Sequence, residues 1–255
     1  QNKIWICGDA MKRFRSVIHF GADESFDDFV DMDAKTFYER IAKDPNDVPK
    51  TSYVAMGRMI EFFENLAKEG YEEALVITIS SALSGLNEAV KKAADEAKYK
   101  VTSYDSKNIA YIQAYMVLKA HEMVEAGHRV EEILPVLNQI RDNNQWYFAV
   151  ETLLYLVKNG RLSKTQAFLG NILGIRPLLS INKEGKVETI EKIRTFSKAL
   201  NEVLKKYLEE TQGKNVLTYI SHAHSDEAVA YLTNEIHKIY PERKVISTYL
   251  TPVVG

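Results

Sequence analysis

The chain has 255 residues, of which 45% are apolar and 27% are charged. This is ordinary globular composition, and the length favours two modest domains because single hydrophobic cores stop growing at roughly 250–300 residues. The 33 basic and 35 acidic side chains give a net charge of −2. That balance leaves no electrostatic case for a nucleic acid partner or for an anionic membrane surface.

Cysteine content and hydropathy indicate the cellular compartment. Cys7 is the only cysteine, so it forms no intramolecular disulfide, and a free thiol is typical of a reducing compartment. No apolar window approaches the roughly 18 residues that span a bilayer. We therefore expect a cytoplasmic protein without stable membrane insertion.

The first half of the chain predicts parallel strands joined by helices. Apolar residues of Met56–Lys68 recur at helical spacing, and Gly70 stands where a helix C-cap glycine belongs. From Tyr71 onward, short β-branched runs alternate with helical stretches, which is typical of an α/β fold. Ser106 is a candidate N-cap for the predicted helix 109–125. The predicted strands are 74–79, 100–104 and 146–150, and the predicted helices that follow are 86–97, 109–125 and 130–141.

The second half follows a different pattern. Gly160, Gly170 and Gly174 interrupt a short helical region. A turn at 183–186 then separates two alternating strands, which predicts an antiparallel hairpin. The predicted strands are 176–181, 187–193, 215–220 and 244–250, and the predicted helices are 196–208 and 225–239.

These patterns predict an α/β protein of two domains. Residues 1–150 form an N-terminal α/β domain with a mostly parallel sheet and flanking helices, and residues 151–255 form a C-terminal α+β-like domain. No Pro/Gly linker separates them, so we expect the domains to pack closely, with a cleft between them as the natural pocket.

The segment Ser80-Ser81-Ala82-Leu83-Ser84-Gly85 is a candidate anion site. It follows a predicted strand and opens a predicted helix, where free backbone N–H groups and the helix dipole favour negative charge. Alternatively, Ser84 acts only as an N-cap, which stabilises a helix by about 1 kcal/mol. Spacing alone does not separate these two interpretations.

Two further segments carry polar groups with two interpretations each. Thr51 and Ser52 precede a predicted helix, so their hydroxyls either face the same strand-end crevice or cap that helix. Capping is the favoured reading on spacing. Arg161, in a glycine-containing loop, either pairs with a carboxylate or phosphate or braces the domain interface.

The sequence gives little support for a metal site or a nucleotide-binding site. His222 and His224 follow a predicted strand, but no third ligand has suitable spacing. The acidic stretch 23–33 lacks the order and glycine of an EF-hand, so it predicts a solvated loop. The sequence contains no Gly-x-Gly-x-x-Gly, Walker loop or Gly-x-Ser-x-Gly elbow. We therefore expect no metal and no cofactor.

Several segments, taken in order, resemble the DegV family of fatty-acid-binding proteins. Together they span about residues 17–254, and their order makes the match more specific than any one motif. They are Pro49-Lys50-Thr51-Ser52, Ile79 to Gly85, Tyr104-Asp105-Ser106, Glu151 to Leu156, Gly160-Arg161-Leu162-Ser163, and Leu173 to Leu179.

The resemblance implies a carrier without catalytic residues of its own. One long-chain fatty acid, such as palmitate, would lie in a cavity between or within the two domains. By position, Thr51, Ser52, Ser84 and Gly85 match the family's headgroup motifs, and Arg161 would make a charged contact near the mouth or brace the domains. A separate fatty acid kinase would phosphorylate the presented carboxylate.

The chain departs from the family pattern at several places, one of which is Leu86 in place of the usual Thr after Ser-Gly. The family's opening strand ends in Thr-Asp-Ser, whereas Gly8-Asp9-Ala10 here leads quickly to 17–20, so a first helix is expected to be missing. The family's Thr-Ser-Gln-Pro-Ser becomes Thr51-Ser52-Tyr53-Val54-Ala55. Two other functions stay open: an acyl ester or acyl phosphate hydrolase using Ser84, and an interaction domain without ligand.

Overall fold

The protein has a mixed α/β fold. The computed structural model describes residues 3–8, 15–44, 46–162 and 174–254. The predicted positions Ser163, Gly170 and Leu173 lie outside these ranges. The helices are α1 Ala34–Lys43, α2 Met56–Lys68, α3 Leu86–Ala97, α4 Ala110–Glu125, α5 Val130–Asp142, α6 Leu154–Lys158, α7 Phe196–Thr211 and α8 Asp226–Ile239. The strands are β1 Ile4–Gly8, β2 Val17–Phe20, β3 Glu24–Asp27, β4 Lys50–Ser52, β5 Glu73–Thr78, β6 Val101–Asp105, β7 Tyr147–Ala149, β8 Leu178–Ile181, β9 Val187–Glu191, β10 Thr218–His222 and β11 Val245–Tyr249.

A parallel sheet of order β1-β5-β6 forms the centre of the first half. Every residue of β5 is buried, as expected for a central strand covered on both faces. Ala74 and Val76 pack with α2 and α3, whereas Leu75 and Ile77 pack with α4 and α5. The result is a three-layer arrangement, and the predicted helix–strand alternation is confirmed.

The capping predictions have mixed outcomes. Gly70 adopts a φ of +81° and donates its N–H to Ala67 O, so it ends α2 as predicted. Ser106 does not cap α4, because its hydroxyl bonds to the backbone of Asn108 and the helix begins after Ile109 without a side-chain cap. The prediction for Ser106 is therefore wrong, since a local turn uses the hydroxyl first.

A small antiparallel sheet of order β3-β2-β4 precedes α2. The acidic stretch was expected to be a solvated loop, but it contributes β3 and the cap of α1, where Asp33 accepts the Thr36 N–H at 2.8 Å. A strand fits here because Phe26 alternates inward onto a buried group. We call that group the N-terminal cluster: Ile18, Phe20, Met32, Ala34, Phe37 and Tyr38.

The second half contains two further sheets. The predicted hairpin is confirmed as β8 and β9, which pair antiparallel, with β7 on the other side of β8. The pair β10 and β11 is parallel, with α8 between them in sequence. Because β7 ends at Ala149 yet pairs with β8, the expected boundary at residue 150 falls inside this sheet. In the described part of the chain, no helix is both long and apolar enough to cross a membrane.

Candidate functional site

The Ser80–Gly85 loop lies at the carboxyl edge of the parallel sheet, directly after β5. Ser80 N donates to Asn108 O at 2.9 Å, in the loop that follows β6. Ser81 donates through both its amide and its hydroxyl to Asp105, at 3.1 and 2.5 Å. The loop is thus fixed to the neighbouring strand end, where α/β sheets usually bind ligands.

Ser84 and Gly85 stand at the beginning of α3. Gly85 is the N-cap residue and makes no side-chain cap, while the Ser84 hydroxyl accepts the Leu86 N–H at 3.3 Å. Ser84 is therefore not the N-cap itself. Among the described residues, none accepts the Ser84 hydroxyl proton, so this group has a donor to offer a ligand beside the helix N-terminus.

Thr51 and Ser52 belong to β4 and do not cap α2. That helix begins after Ala55, which makes no side-chain cap, so the favoured reading of the two hydroxyls as caps is wrong. A Cβ placed on Gly85 would lie 3.5 Å from Cε1 of Tyr53. The end of β4 and the start of α3 are therefore in contact.

His19 is a polar neighbour that sequence reasoning missed. Its ring nitrogens bond to the hydroxyls of Ser25 at 2.8 Å and Ser52 at 2.9 Å, across all three strands of the small sheet. The Ser52 hydroxyl is thus already engaged. Nothing local in the sequence indicates this contact, because 33 residues separate His19 from Ser52.

Arg161 reaches the same loop from the second half of the chain. Its Nε donates to Leu83 O at 3.2 Å, and its Nη1 donates to Asn159 O. The Leu83 side chain packs against a buried group that we call the second-sheet cluster: Leu153, Leu162, Leu179 and Val187. Arg161 and Leu83 therefore join the loop to the second sheet.

The β8–β9 turn makes the closest contact with this loop. Ser80, which is fully buried, donates its hydroxyl to Gly185 O at 2.7 Å. Gly185 has a φ of +78°, and a Cβ there would lie 2.1 Å from Ser80 Oγ and 3.1 Å from Lys107 Cα. A glycine is required at the tip of this turn both by its conformation and by the space available.

His222 and His224 lie at the end of β10. His222 Nδ1 accepts the Ser225 N–H at 3.3 Å, and burial lowers the pKa of His222 although nearby Asp226 opposes the shift. Within the ranges given above, no three His, Cys, Asp or Glu side chains are grouped as a metal site would need. The His222 ring instead packs 4.3 Å from that of Tyr249.

The N-terminal cluster continues into the ends of β10 and β11. Ala223, Tyr249 and Val253 pack against it, and Tyr38 donates to Leu250 O at 3.2 Å and to Thr251 O at 3.3 Å. Burial raises the pKa of Asp28 to about 6, although the polar groups of Thr251 and the charge of Arg15 oppose the shift. The small sheet therefore connects the Ser84 loop with the carboxyl ends of β10 and β11.

Comparison with known sequences identifies relatives over most of the chain. The model of the DegV family, described as uncharacterised proteins, matches residues 16–255. The DegV protein of Bacillus subtilis (strain 168) is 30% identical over 237 residues, covering 91% of this chain and 83% of the relative. A DegV domain-containing protein of Staphylococcus aureus (strain N315) is 32% identical over 235 residues, covering 91% and 82%.

Solved structures agree with this assignment. The crystal structure of Bacillus subtilis DegV, described as a fatty acid binding protein, has a TM-score of 0.85 at 26% identity and covers 100% of this chain and 95% of its own. A fatty acid binding DegV family protein from Streptococcus agalactiae has a TM-score of 0.88 at 22% identity, covering 100% and 94%, and shows the same fold. The chain therefore belongs to the DegV family.

Proposed function

We propose that this protein binds one long-chain fatty acid, such as palmitate, and has no catalytic residues of its own. The observation that carries the proposal is the contact of Tyr53 with Gly85, which brings the Thr51-Ser52 motif to the Ser84-Gly85 motif at one helix N-terminus. The description of Bacillus subtilis DegV, 26% identical, as a fatty acid binding protein supports it.

The carboxylate is held, in this proposal, by hydroxyls and backbone amides. The first amides of α3 have no acceptor within the helix, and the positive end of the helix dipole favours an anion. Thr51 and Ser52 are successive residues of β4, so their side chains lie on opposite faces of the small sheet. Because Tyr53 contacts Gly85 and Ser52 bonds to His19, we expect Thr51 to contribute more than Ser52.

The acyl chain extends, in this proposal, from the Ser84 loop along the second-sheet cluster. Leu83 precedes Ser84 and already packs against that cluster, so the apolar surface begins beside the proposed headgroup site. Burying some fifteen methylenes at about 0.8 kcal/mol each would contribute on the order of 10 kcal/mol before ordering costs. The carboxylate contacts then mainly fix orientation.

We further propose a cytoplasmic carrier whose partner is a fatty acid kinase. The carboxylate oxygen attacks the γ-phosphorus of ATP bound to the kinase, and ADP leaves to give the acyl phosphate. Arg161 serves as a brace, since it holds Leu83 O from the second sheet. We place the domain boundary just before β7, because β7 pairs with β8.

The hydrolase alternative finds no support in a histidine beside Ser84 among the described residues. A nucleophilic serine needs one within hydrogen-bond reach. In the described part of the chain no histidine bonds to Ser84, and His222 Nδ1 is occupied by the Ser225 amide. Turnover of acyl esters that is abolished by Ser84→Ala would favour this alternative instead.

Mass spectrometry of organic extracts tests the proposal directly. We expect a C14 to C18 fatty acid at close to one per chain, absent from a mock purification. Ser84→Ala removes a charge-assisted bond of about 1–3 kcal/mol and should weaken palmitate binding by about 5- to 150-fold. Ser247→Ala, at an exposed position of β11, is the matched control. An empty extract together with no rebinding of palmitate would refute the proposal.

A further inference from the structure

A polar cavity of about 420 Å³ opens at one edge of the β7-β8-β9 sheet. At this end of the sheet lie the end of β7, the start of β8 and the end of β9, because the neighbouring strands are antiparallel. The residues that line the cavity come from the connections just beyond these strand ends. They are Glu151, Gly174, Arg176, Arg194, Thr195 and Phe196.

The backbone fixes both arginines at this edge. Arg176 N donates to Ile193 O at 2.6 Å, which ties the segment before β8 to the segment after β9. Ile193 is buried with Leu178 and Ala199 beneath the connections. The two guanidinium groups therefore face one cavity from segments that the core holds together.

The Arg194 guanidinium has no partner within the described ranges of the chain. Among the residues that the structure describes, none forms a hydrogen bond or ion pair with it, and Arg176 donates only to its neighbour Ile175 O, at 3.3 Å. Each guanidinium carries five N–H donors in a planar fork. Most of the donors in this cavity are thus free for a ligand.

The N-terminus of the 16-residue helix α7 adds further donors. Thr195 caps the helix through the Lys198 amide, which leaves the Phe196 and Ser197 amides without an acceptor inside the helix. The first turn contains no acidic residue. Glu151 is the only acidic side chain lining the cavity within the described residues, so two guanidinium groups leave a net positive charge.

We propose that this cavity binds a phosphoryl dianion. Two guanidinium forks and helix amides supply more donors than the two oxygens of a carboxylate accept, whereas a phosphoryl group offers three or four oxygens and a second negative charge. The polar lining argues against an acyl chain here. The site is distinct from the proposed headgroup site, since none of the headgroup residues lines the cavity.

The cavity and the Ser84 loop are connected through the second-sheet cluster. Val150 and Ile175, each adjacent to a lining residue, pack against the second-sheet cluster, and Leu83 packs against the same cluster. The phosphoryl group is therefore either free phosphate or one carried by a lipid. Inorganic phosphate and hexadecylphosphonate are the probes that distinguish these sources.

Calorimetric titration of the full chain with each probe tests the site. We expect binding that weakens with salt, and at least a tenfold loss of affinity in Arg194→Gln and in Arg176→Gln/Arg194→Gln. Arg129→Gln, at the exposed N-cap position of α5, is the control with the same charge change. Arg194 is exposed and unpartnered, so its single variant is expected to fold, which thermal melting checks.

The outcomes separate this site from fatty acid binding. Phosphate binding that survives loading with palmitate indicates free phosphate, and binding of the phosphonate alone indicates a lipid-borne group; both support the site. Binding of neither probe, or equal binding to wild type and to the double variant, would overturn it. Extracted fatty acid is measured in parallel, so loss of lipid alone counts only against the carrier proposal.

Discussion

Gly185→Ala should separate the β8–β9 turn from the loop after β5. The new methyl group would lie 2.1 Å from Ser80 Oγ and 3.1 Å from Lys107 Cα. The backbone of Lys107 is unable to yield as a flexible side chain does. Ser80 must therefore move, and its 2.7 Å bond to Gly185 O is lost in a buried environment.

Two effects set the size of the change. A non-glycine residue at a φ of +78° costs about 1–2 kcal/mol. Leaving the buried Ser80 hydroxyl and the Gly185 carbonyl unpaired costs about 1–3 kcal/mol more. We expect the free energy of unfolding to fall by about 2–5 kcal/mol, which is large for one methyl group.

Urea denaturation followed by circular dichroism measures this change. Gly213→Ala is the matched control, because Gly213 has a φ of +69° and a Cβ there would meet no described atom within 4 Å. Its free energy of unfolding should fall only by the cost of a non-glycine residue at positive φ, about 1–2 kcal/mol. If the two variants differ by less than about 0.5 kcal/mol, the turn is not docked as described.

Three further changes test other contacts. Tyr38→Phe removes bonds to two backbone carbonyls after β11 and should lower the free energy of unfolding by about 1 kcal/mol in urea titration. The pKa of Asp28 is raised to about 6, so its folded form holds a proton more tightly than the unfolded chain and its contribution to stability is lost as pH rises through 6. Between about pH 4 and pH 7 the free energy of unfolding of Asp28→Asn should therefore decline less than that of the wild type, by at most about 3 kcal/mol, which thermal melting at each pH measures. Arg161→Ala removes the bond to Leu83 O and should speed amide hydrogen exchange in the Ser80–Gly85 loop, whereas unchanged exchange would contradict the brace.

Much of the fold was predictable because it follows from local periodicity. The apolar run of β5 indicates a buried strand, and the spacing of apolar residues in α2 indicates a helix. The turn at 183–186 between two alternating segments indicates the hairpin. The strands β2, β3 and β4 were not predictable in this way. They are three or four residues long and lie among charged residues, so they give no local signal. Long-range contacts stabilise them: their pairing with one another, the His19 bonds, and packing on the N-terminal cluster.

The helix N-terminus at the candidate site was predictable, whereas the contacts around it were not. The position of Ser84 and Gly85 after a strand indicated a helix N-terminus, and the structure places them there. The contact of Tyr53 with Gly85, and that of His19 with Ser52, join segments about 30 residues apart. Strand register decides such contacts, and no local pattern reports it.

The contact of Tyr38 with Thr251 joins residues 213 positions apart, which affects how the chain folds during synthesis. At roughly 5–20 residues per second, a ribosome needs about 10–40 seconds to make the intervening segment. Throughout that interval the face of the N-terminal cluster that receives Tyr249 and Val253 has no cover. The nascent chain therefore exposes an aromatic surface, which is buried only after Tyr249 and Val253 have been synthesised.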